Sequence, residues 1–118
     1  MANEDNCPVE ATLELIGGKY KALILWHLSQ GILRFSELRQ VIKGATPKML
    51  TQQLRELEAN GLVHREVYPV IPPKVEYSLT EKGASVVPIL QSICQWAGAF
   101  YKDEGEAPMI QCRKCDHH

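Results

Sequence analysis

The alternation of apolar and polar residues predicts a series of short helices followed by a ribbon of two strands. Its clearest segment is residues 47–60, where leucine recurs every three or four positions and gives a helix one apolar face for burial. Thr46 can cap this helix, Pro47 suits its first position, and Gly61 can end it in the left-handed conformation that glycine tolerates. We therefore expect a helix that is anchored on one face and exposed on the other.

The rest of the pattern predicts a helix-turn-helix with a wing. Phe35, Leu38 and Val41 are expected to face inward from the helix before the turn. The proline-rich residues 69–74 cannot extend a central ladder, so they are expected to form the loop of the ribbon. The predicted helices span residues 8–16, 19–30, 35–42, 47–60 and 81–102, and the predicted strands span residues 62–68 and 75–79. This layout is mainly α with a small β-ribbon (α+β), a winged helix-turn-helix.

Length and composition predict one domain. With 118 residues, of which 45% are hydrophobic, the chain is large enough to bury a single core. Residues 1–6 are expected to be a flexible tail, residues 7–104 a winged-helix domain that includes the C-terminal dimerisation helix, and residues 105–118 a second flexible tail. The acidic start lacks the apolar core of a signal peptide, and no segment is apolar for long enough to span a bilayer. A cytoplasmic location with reduced cysteines is therefore expected.

Positive charge is concentrated in the predicted helix-turn-helix and ribbon. The formal net charge of the chain is −1, but residues 34–75 carry seven basic and four acidic residues. The segments before and after each carry two more acidic than basic residues. DNA binding needs a local positive surface, so this distribution favours a nucleic-acid partner, although so small an excess also fits an ordinary solvated surface.

The exposed face of the helix at residues 47–60 has the chemistry of a DNA-reading surface. Its long or branched polar side chains are of the kinds that reach phosphates and base edges. The candidate DNA-binding residues are Ser36, Thr46, Lys48, Met49, Thr51, Gln52, Arg55, Arg65 and Lys74. Paired carboxylates, a phosphate-binding glycine loop and a catalytic triad are not evident in the sequence, so neither an enzyme nor a cofactor is expected.

The last predicted helix carries a wider apolar band than one core contact requires. Apolar residues recur along it at spacings of three and four, and others widen the stripe on both sides. Such a band suggests contact with a second copy of the chain, and two-fold symmetry is common among DNA readers. The alternative is that the first two helices cover the whole band. The candidate interface residues are Ile89, Ile93, Trp96 and Phe100.

Several stretches of the chain together match one family pattern: Cys-Pro-Val at 7–9, Ile-Gly-Gly-Lys-Tyr-Lys at 16–21, Phe-Ser-Glu-Leu at 35–38, Pro-Lys-Met-Leu-Thr-Gln-Gln-Leu-Arg-Glu-Leu-Glu at 47–58, Gly-Leu-Val at 61–63, Arg65, and Pro-Pro-Lys-Val-Glu-Tyr-Ser-Leu-Thr-Glu-Lys-Gly at 72–83. With these stretches the chain resembles the HxlR-type winged-helix transcriptional regulators, a branch of the MarR-like group. The resemblance covers residues 7–104, and it implies a homodimer whose terminal helices pair and whose recognition helices read a near-palindromic operator. Tyr20 stands where the family often has tryptophan, which implies only local repacking.

The cysteines supply the remaining candidate chemistry. Cys7 is expected at the start of the first helix, where the positive end of the helix dipole stabilises a thiolate and acidic neighbours oppose it. Some relatives in the family respond to electrophiles or oxidants through a cysteine placed like Cys7, so this residue is a candidate redox switch; the alternative is an unreactive cap residue. Cys94 is expected to act as a small buried hydrophobe.

The end of the chain contains soft metal ligands at a spacing that zinc sites use. A lone pair of cysteines in a terminal tail is weak evidence for a site, and a tail that only scavenges metal or oxidises explains the pattern as well. No metal is therefore expected. These residues are Cys112, Cys115, His117 and His118.

Two functional hypotheses follow. The first is a dimeric, sequence-specific transcription regulator that binds double-stranded DNA and is switched when a small electrophile or oxidant modifies Cys7. The alternative is a thiol- or metal-sensing redox protein that uses the winged helix as a protein-interaction module. The basic surface of the helix at residues 47–60 and Lys74 on the wing favour the first hypothesis.

Overall fold

The structure, a computed structural model, describes residues 7–103, and within them it has the winged helix-turn-helix fold that the sequence predicts. One compact unit ends at Ser85 and a second begins at Val86. The predicted tails at residues 1–6 and 105–118 lie outside the described residues. The elements are α1 (Pro8–Ile16), α2 (Lys21–Leu28), β1 (Leu33–Arg34), α3 (Phe35–Val41), α4 (Pro47–Ala59), β2 (Val63–Tyr68), β3 (Lys74–Leu79), α5 (Glu81–Ala84) and α6 (Val87–Asp103).

The first unit is built on apolar residues from α2, α3 and α4. Ile24 and Leu25 on α2 are fully buried, as the continuous apolar run of that helix predicts. Leu38 faces the core from α3, but the prediction that Val41 faces inward is wrong, because Val41 is 44% exposed and Ile42 is only 2% exposed. The helix ends at Val41, and Ile42 leaves helical geometry with a ψ of 84°, so the chain turns and buries the next residue instead.

The wing contains three strands, not the predicted two. The sheet order is β1-β3-β2, and both pairs are antiparallel. Strand β1 has only two residues, Leu33 and Arg34, which pair with Tyr77 and Glu76 of β3. Two residues are too few to give a readable alternation, which is why the sequence pattern missed this strand. Because α3 begins directly after β1, this pairing ties the helix-turn-helix to the wing.

The base of the wing is closed by hydrogen bonds between the end of α4 and the start of α5. The Thr80 hydroxyl donates to the carbonyl of Gly61 at 2.6 Å, and the Thr80 amide donates to the carbonyl of Leu62 at 3.1 Å. Gly83 approaches the Leu62 carbonyl so closely that a Cβ there would lie 2.1 Å from the oxygen. We call these contacts the wing-base clamp, since they join the two points at which the chain leaves and re-enters the helical part.

The predicted single helix over residues 81–102 is wrong, because the segment is broken at Ser85–Val86. It forms the short α5 and the longer α6, each with its own start. Pro88 explains the break: in a continuous helix its missing N–H would face the carbonyl of Ala84, and its ring would collide with that carbonyl. In the observed structure Pro88 instead lies in the first turn of α6, where no such bond is required. Among residues 7–103, no helix is long and apolar enough to cross a membrane.

Candidate nucleic-acid interface

Helix α4 has the two-faced structure that its sequence predicts. The Thr46 hydroxyl accepts a hydrogen bond from the Met49 amide at 3.1 Å, and Pro47 occupies the first helical position. The helix ends before Gly61, whose φ of 79° is the left-handed conformation expected there. The apolar face is buried through Leu50, Leu54 and Leu57. Anchored in this way, the helix holds its opposite face in a fixed position toward solvent.

The exposed face of α4 forms one wall of an open cleft where α3 begins. The cleft has a volume of about 460 Å³ and presents an ammonium, a guanidinium, a hydroxyl and a carboxamide. Hydrogen-bond donors and positive charge of this kind match phosphate oxygens and the acceptor atoms of base edges. The lining residues are Phe35, Pro47, Lys48, Thr51, Gln52 and Arg55.

Three further candidates are sequence neighbours of residues that line this cleft, and each of the three is exposed. Ser36 lies in the first turn of α3, which is held by a hydrogen bond of 2.7 Å from the Arg34 amide to Glu37. Met49 lies in the first turn of α4 and is 39% exposed. Thr46 already uses its oxygen as the helix cap, so part of its role is structural.

The structure does not place the two wing candidates on a common surface. In the sheet, Arg65 pairs with Tyr77 and Lys74 pairs with Tyr68, so the two cations lie on opposite faces. Lys74 belongs to β3, not to the loop in which the sequence placed it. Its ammonium lies 3.7 Å from Glu76 and 4.5 Å from the centre of the Tyr68 ring. The positive charge of Lys74 is therefore already partly balanced.

The carboxylate of Glu76, which lies beside Lys74, also affects the Tyr68 ring. Glu76 raises the pKa of Tyr68 above its ordinary value, chiefly by charge repulsion of the phenolate. The tip of the wing beyond these residues is apolar, and Ile71 is fully exposed there. The negative charge of Glu76 therefore makes this face of the wing less positive than the sequence suggested.

Two residues near the cleft, Lys21 and Glu56, were missed by the sequence reasoning. The Lys21 ammonium on α2 lies 2.5 Å from Glu56 on α4, and the Gln52 amide donates to the same carboxylate at 3.4 Å. The spacing of four between Gln52 and Glu56 was a readable signal, since residues i and i+4 meet on a helix surface. The pairing with Lys21 joins distant parts of the chain and has no local signal.

Cys7 occupies the cap of α1, as predicted, and it is exposed. Its sulfur accepts a hydrogen bond from the Glu10 amide at 3.5 Å, and the Glu10 carboxylate accepts one from the Cys7 amide at 3.3 Å. This reciprocal pair is a capping box in which a thiol replaces the usual hydroxyl. The reactive atom of Cys7 is therefore also the atom that holds the first turn of α1.

The candidate interface residues on α6 are exposed in the described part of the chain. Ile93 and Trp96 are 54% and 59% exposed, and Ile89 and Phe100 are similarly accessible. The rings of Trp96 and Phe100 lie 5.0 Å apart, so the aromatic end of the stripe is a contiguous surface. Cys94 is half-buried on the same helix.

Within residues 7–103, no group of three or more histidine, cysteine or acidic side chains is arranged to hold a metal ion. The four tail candidates, Cys112, Cys115, His117 and His118, lie outside the described residues.

Residues 15–105 match the family model described as HxlR-like helix-turn-helix. The uncharacterized HTH-type transcriptional regulator YkvN of Bacillus subtilis (strain 168) is 52% identical over 109 residues, which span 90% of this chain and 92% of that protein. Similarity at this level over nearly the full length of both chains extends well beyond the helix-turn-helix.

Two regulators of known structure have a similar fold and sequence. The redox regulator HypR in its reduced form is 50% identical, with a TM-score of 0.78 over 86% of this chain and 99% of that chain. HypR in its oxidized form is 53% identical, with a TM-score of 0.75 over 79% of this chain and 96% of that chain. The reduced form of the transcriptional regulator YodB from B. subtilis is 40% identical, with a TM-score of 0.71 over 80% of this chain and 94% of that chain.

Proposed function

The chain belongs to the HxlR-like helix-turn-helix family of transcriptional regulators, and from this premise we propose that it is a dimeric, sequence-specific DNA-binding protein that reads a near-palindromic operator. The observation that carries the proposal is the structure of α4. Its leucine face is buried, while Lys48, Gln52 and Arg55 project from the opposite face into an open cleft. A rigid helix with that exposed chemistry suits the major groove.

Within this proposal, the residues of α4 divide into two roles. Lys48 contacts phosphate as a point charge, whereas Arg55 and Gln52 contact base edges, because their planar groups can form paired hydrogen bonds. Thr51 contributes a hydroxyl or a methyl contact. Ser36 on α3 contacts the backbone, and Arg65 and Lys74 contact it from the two opposite faces of the wing, which sets the register of α4 on the duplex.

The second copy of the chain is proposed to pack on the apolar stripe of α6. Exposed tryptophan, phenylalanine and isoleucine side chains on one helix favour such a contact. A two-fold dimer would place the two α4 helices about 34 Å apart, or a multiple of that distance, so that each enters one half of the operator.

The DNA-binding proposal is tested by a gel-shift assay with sheared DNA from the source genome at several salt concentrations. The intact protein is expected to bind with steep salt dependence and to select particular fragments. The variant Lys48→Ala/Gln52→Ala/Arg55→Ala is expected to keep its helical circular-dichroism spectrum and lose that selection. If neither reduced nor oxidised protein binds DNA, the alternative of a redox protein with a winged-helix interaction module is favoured.

We also infer that Cys7 switches operator binding. Support comes from the capping box, in which the thiol sulfur holds the first turn of α1, and from the similarity to HypR, whose reduced and oxidized forms are both known. Addition of the thiol to a ring carbon of a quinone breaks the S–H bond and forms a carbon–sulfur bond, and the quinone becomes a hydroquinone as protons move to its two oxygens. The resulting thioether carries a bulky ring on the sulfur that accepts from the Glu10 amide, so the first turn of α1 would lose its cap.

This switch is tested in a full-length chain that carries Cys112→Ser and Cys115→Ser, with and without Cys7→Ser. Quinone treatment is expected to change operator affinity by about 10-fold, a coupling of roughly 1–3 kcal/mol, only when Cys7 is present. Equal affinity before and after complete modification of Cys7 would mean that the thiol is an incidental cap, and the DNA-binding proposal would stand without it.

A further inference from the structure

The carboxylate of Glu56 contacts two side chains at once, one from each side. Its Oε1 atom lies 2.5 Å from the ammonium of Lys21, and its Oε2 atom accepts a hydrogen bond of 3.4 Å from the Gln52 amide nitrogen. The Lys21 side chain is only 12% exposed, so its ammonium is held in place by the surrounding chain. Glu56 is thus a bridge between a fixed cation on α2 and a cleft residue on α4.

The charge state of Glu56 determines which end of the Gln52 amide can face it. The hydrogen bond from Lys21 lowers the pKa of the Glu56 carboxyl, so at neutral pH this group is an anion. An ionised carboxylate only accepts hydrogen bonds, and therefore only the nitrogen end of the carboxamide can turn toward it. The carbonyl oxygen of Gln52 and the second amide hydrogen are left for another partner.

An adjacent carbonyl oxygen and N–H form the pair that recognises adenine in the major groove, where N6 donates and N7 accepts. We propose that Glu56 is a positioning residue that orients the Gln52 carboxamide to read an adenine of the operator, with Lys21 holding Glu56 in place. This inference rests on the proposed DNA-binding function and adds to it the base that Gln52 selects.

A bridge of this kind also explains why an acidic residue is tolerated beside a DNA-reading surface. A bare carboxylate on α4 would repel phosphates, but the Lys21 ammonium neutralises it at close range. The competing explanation is that Lys21 and Glu56 only tie α2 to α4. That tie would affect folding and would reduce binding to every DNA sequence alike.

The test selects binding sites from a library of randomised DNA duplexes with the full-length protein and four variants. Gln52→Ala identifies the base position that Gln52 reads. Glu56→Ala is expected to relax adenine preference at that same position by about fivefold or more, and to leave the other positions unchanged. Glu56→Gln breaks the ion pair and can donate as well as accept, so either end of the Gln52 carboxamide can face it, and a partial loss of the preference is expected. Glu58→Ala, which removes an exposed acid from the same helix, is the matched control.

The outcomes separate this inference from the proposed function. If the intact protein selects no sequence, the proposed function fails. If the protein selects a sequence but Glu56→Ala keeps the adenine preference that Gln52→Ala loses, Glu56 does not position Gln52. If Glu56→Ala and Glu56→Gln weaken binding to every sequence alike and keep the adenine preference, the Lys21–Glu56 tie is what matters, and the positioning role is overturned. Loss of the preference at the Gln52 position alone in Glu56→Ala, with a smaller or equal loss there in Glu56→Gln, supports the role.

Discussion

Helices α4 and α6 are both amphipathic, yet they differ in what happens to their apolar faces. The leucines of α4 are buried, whereas Ile93 and Trp96 of α6 are more than half exposed in the described part of the chain. On α4 the apolar face belongs to the core of the first unit, and the polar face is the exposed surface. On α6 the apolar residues themselves are exposed to solvent. The comparison suggests that α4 offers its outer face to a charged partner and α6 offers its own to an apolar one.

Charged residues on the apolar surface of α6 are expected to have the largest effect. Ile93→Asp with Trp96→Asp is expected to convert dimer to monomer, because two carboxylates would have to be buried against the partner. Operator affinity should then fall about 100-fold or more, as the two half-sites are no longer bound together. Light scattering after size-exclusion chromatography measures the mass. The control, Gln91→Asp with Gln95→Asp, places the same charges on exposed polar positions of the helix. A dimer that survives the first pair would place the interface elsewhere.

A second test removes similar aliphatic groups from the two helices. Leu54→Ala on α4 is expected to lower the free energy of unfolding by about 2–5 kcal/mol at every protein concentration, because it leaves a cavity in the core. Ile93→Ala on α6 should have an effect that depends on concentration, since it weakens association of the chains. Urea unfolding at several protein concentrations measures both. A concentration-independent loss for Ile93→Ala would mean that this residue stabilises the single chain.

The polar face of α4 can be tested separately from oligomeric state. Arg55→Ala is expected to weaken operator binding by about 1–3 kcal/mol and to relax preference at a particular base pair, while the protein remains a dimer. Lys19→Ala removes an exposed cation from the first unit but outside the cleft, and it serves as the control. The measurement is fluorescence anisotropy with the selected operator and single-base variants. Equal losses in both variants would indicate only a general electrostatic effect.

The smallest expected effect is on the wing. Lys74→Ala should weaken binding to all sequences alike and lower the salt slope by less than about one, because Lys74 already interacts with Glu76 and the Tyr68 ring. Arg65→Ala, on the opposite face of the sheet, is the comparison variant. Titrations at four salt concentrations measure both slopes. A larger change for Lys74→Ala than for Arg65→Ala would mean that the Lys74 face of the wing makes the stronger contact with DNA, despite the neighbouring Glu76.

Features with local sequence signals were predicted well. The Thr46 cap, the first-position Pro47, the glycine end of α4 and the Cys7 cap of α1 each depend on residues a few positions apart, and the structure confirms them. The break before α6 also had a local signal, since Pro88 cannot lie within a helix interior. The apolar spacing over residues 81–102 continues across Pro88, however, and this spacing led to the prediction of one unbroken helix.

The features that could not be predicted from the sequence depend on the register of the strands and on contacts between distant parts of the chain. Whether Arg65 and Lys74 share a face follows from the pairing of Tyr68 with Lys74, and the loop sequence does not specify that alignment. The contact between Lys21 and Glu56 needs α2 and α4 to be packed together before it exists. Candidate binding residues on an exposed helix face were therefore easier to propose than contacts between distant parts of the chain.

The wing-base clamp has a consequence for how this protein can be altered. Thr80 and Gly83 fix the chain at the base of the wing, where β2 begins and β3 ends. The five residues between β2 and β3 therefore form a loop at the far end of the wing, away from these contacts. Doubling the length of such a loop costs only about 0.6 kcal/mol in closure entropy. The tip can therefore accept inserted residues, a fluorophore or a new groove-binding peptide without shifting α4. A side chain at position 83 would instead disrupt the wing-base clamp. The length of the wing can therefore be changed at its tip, whereas the residues at its base cannot be replaced freely.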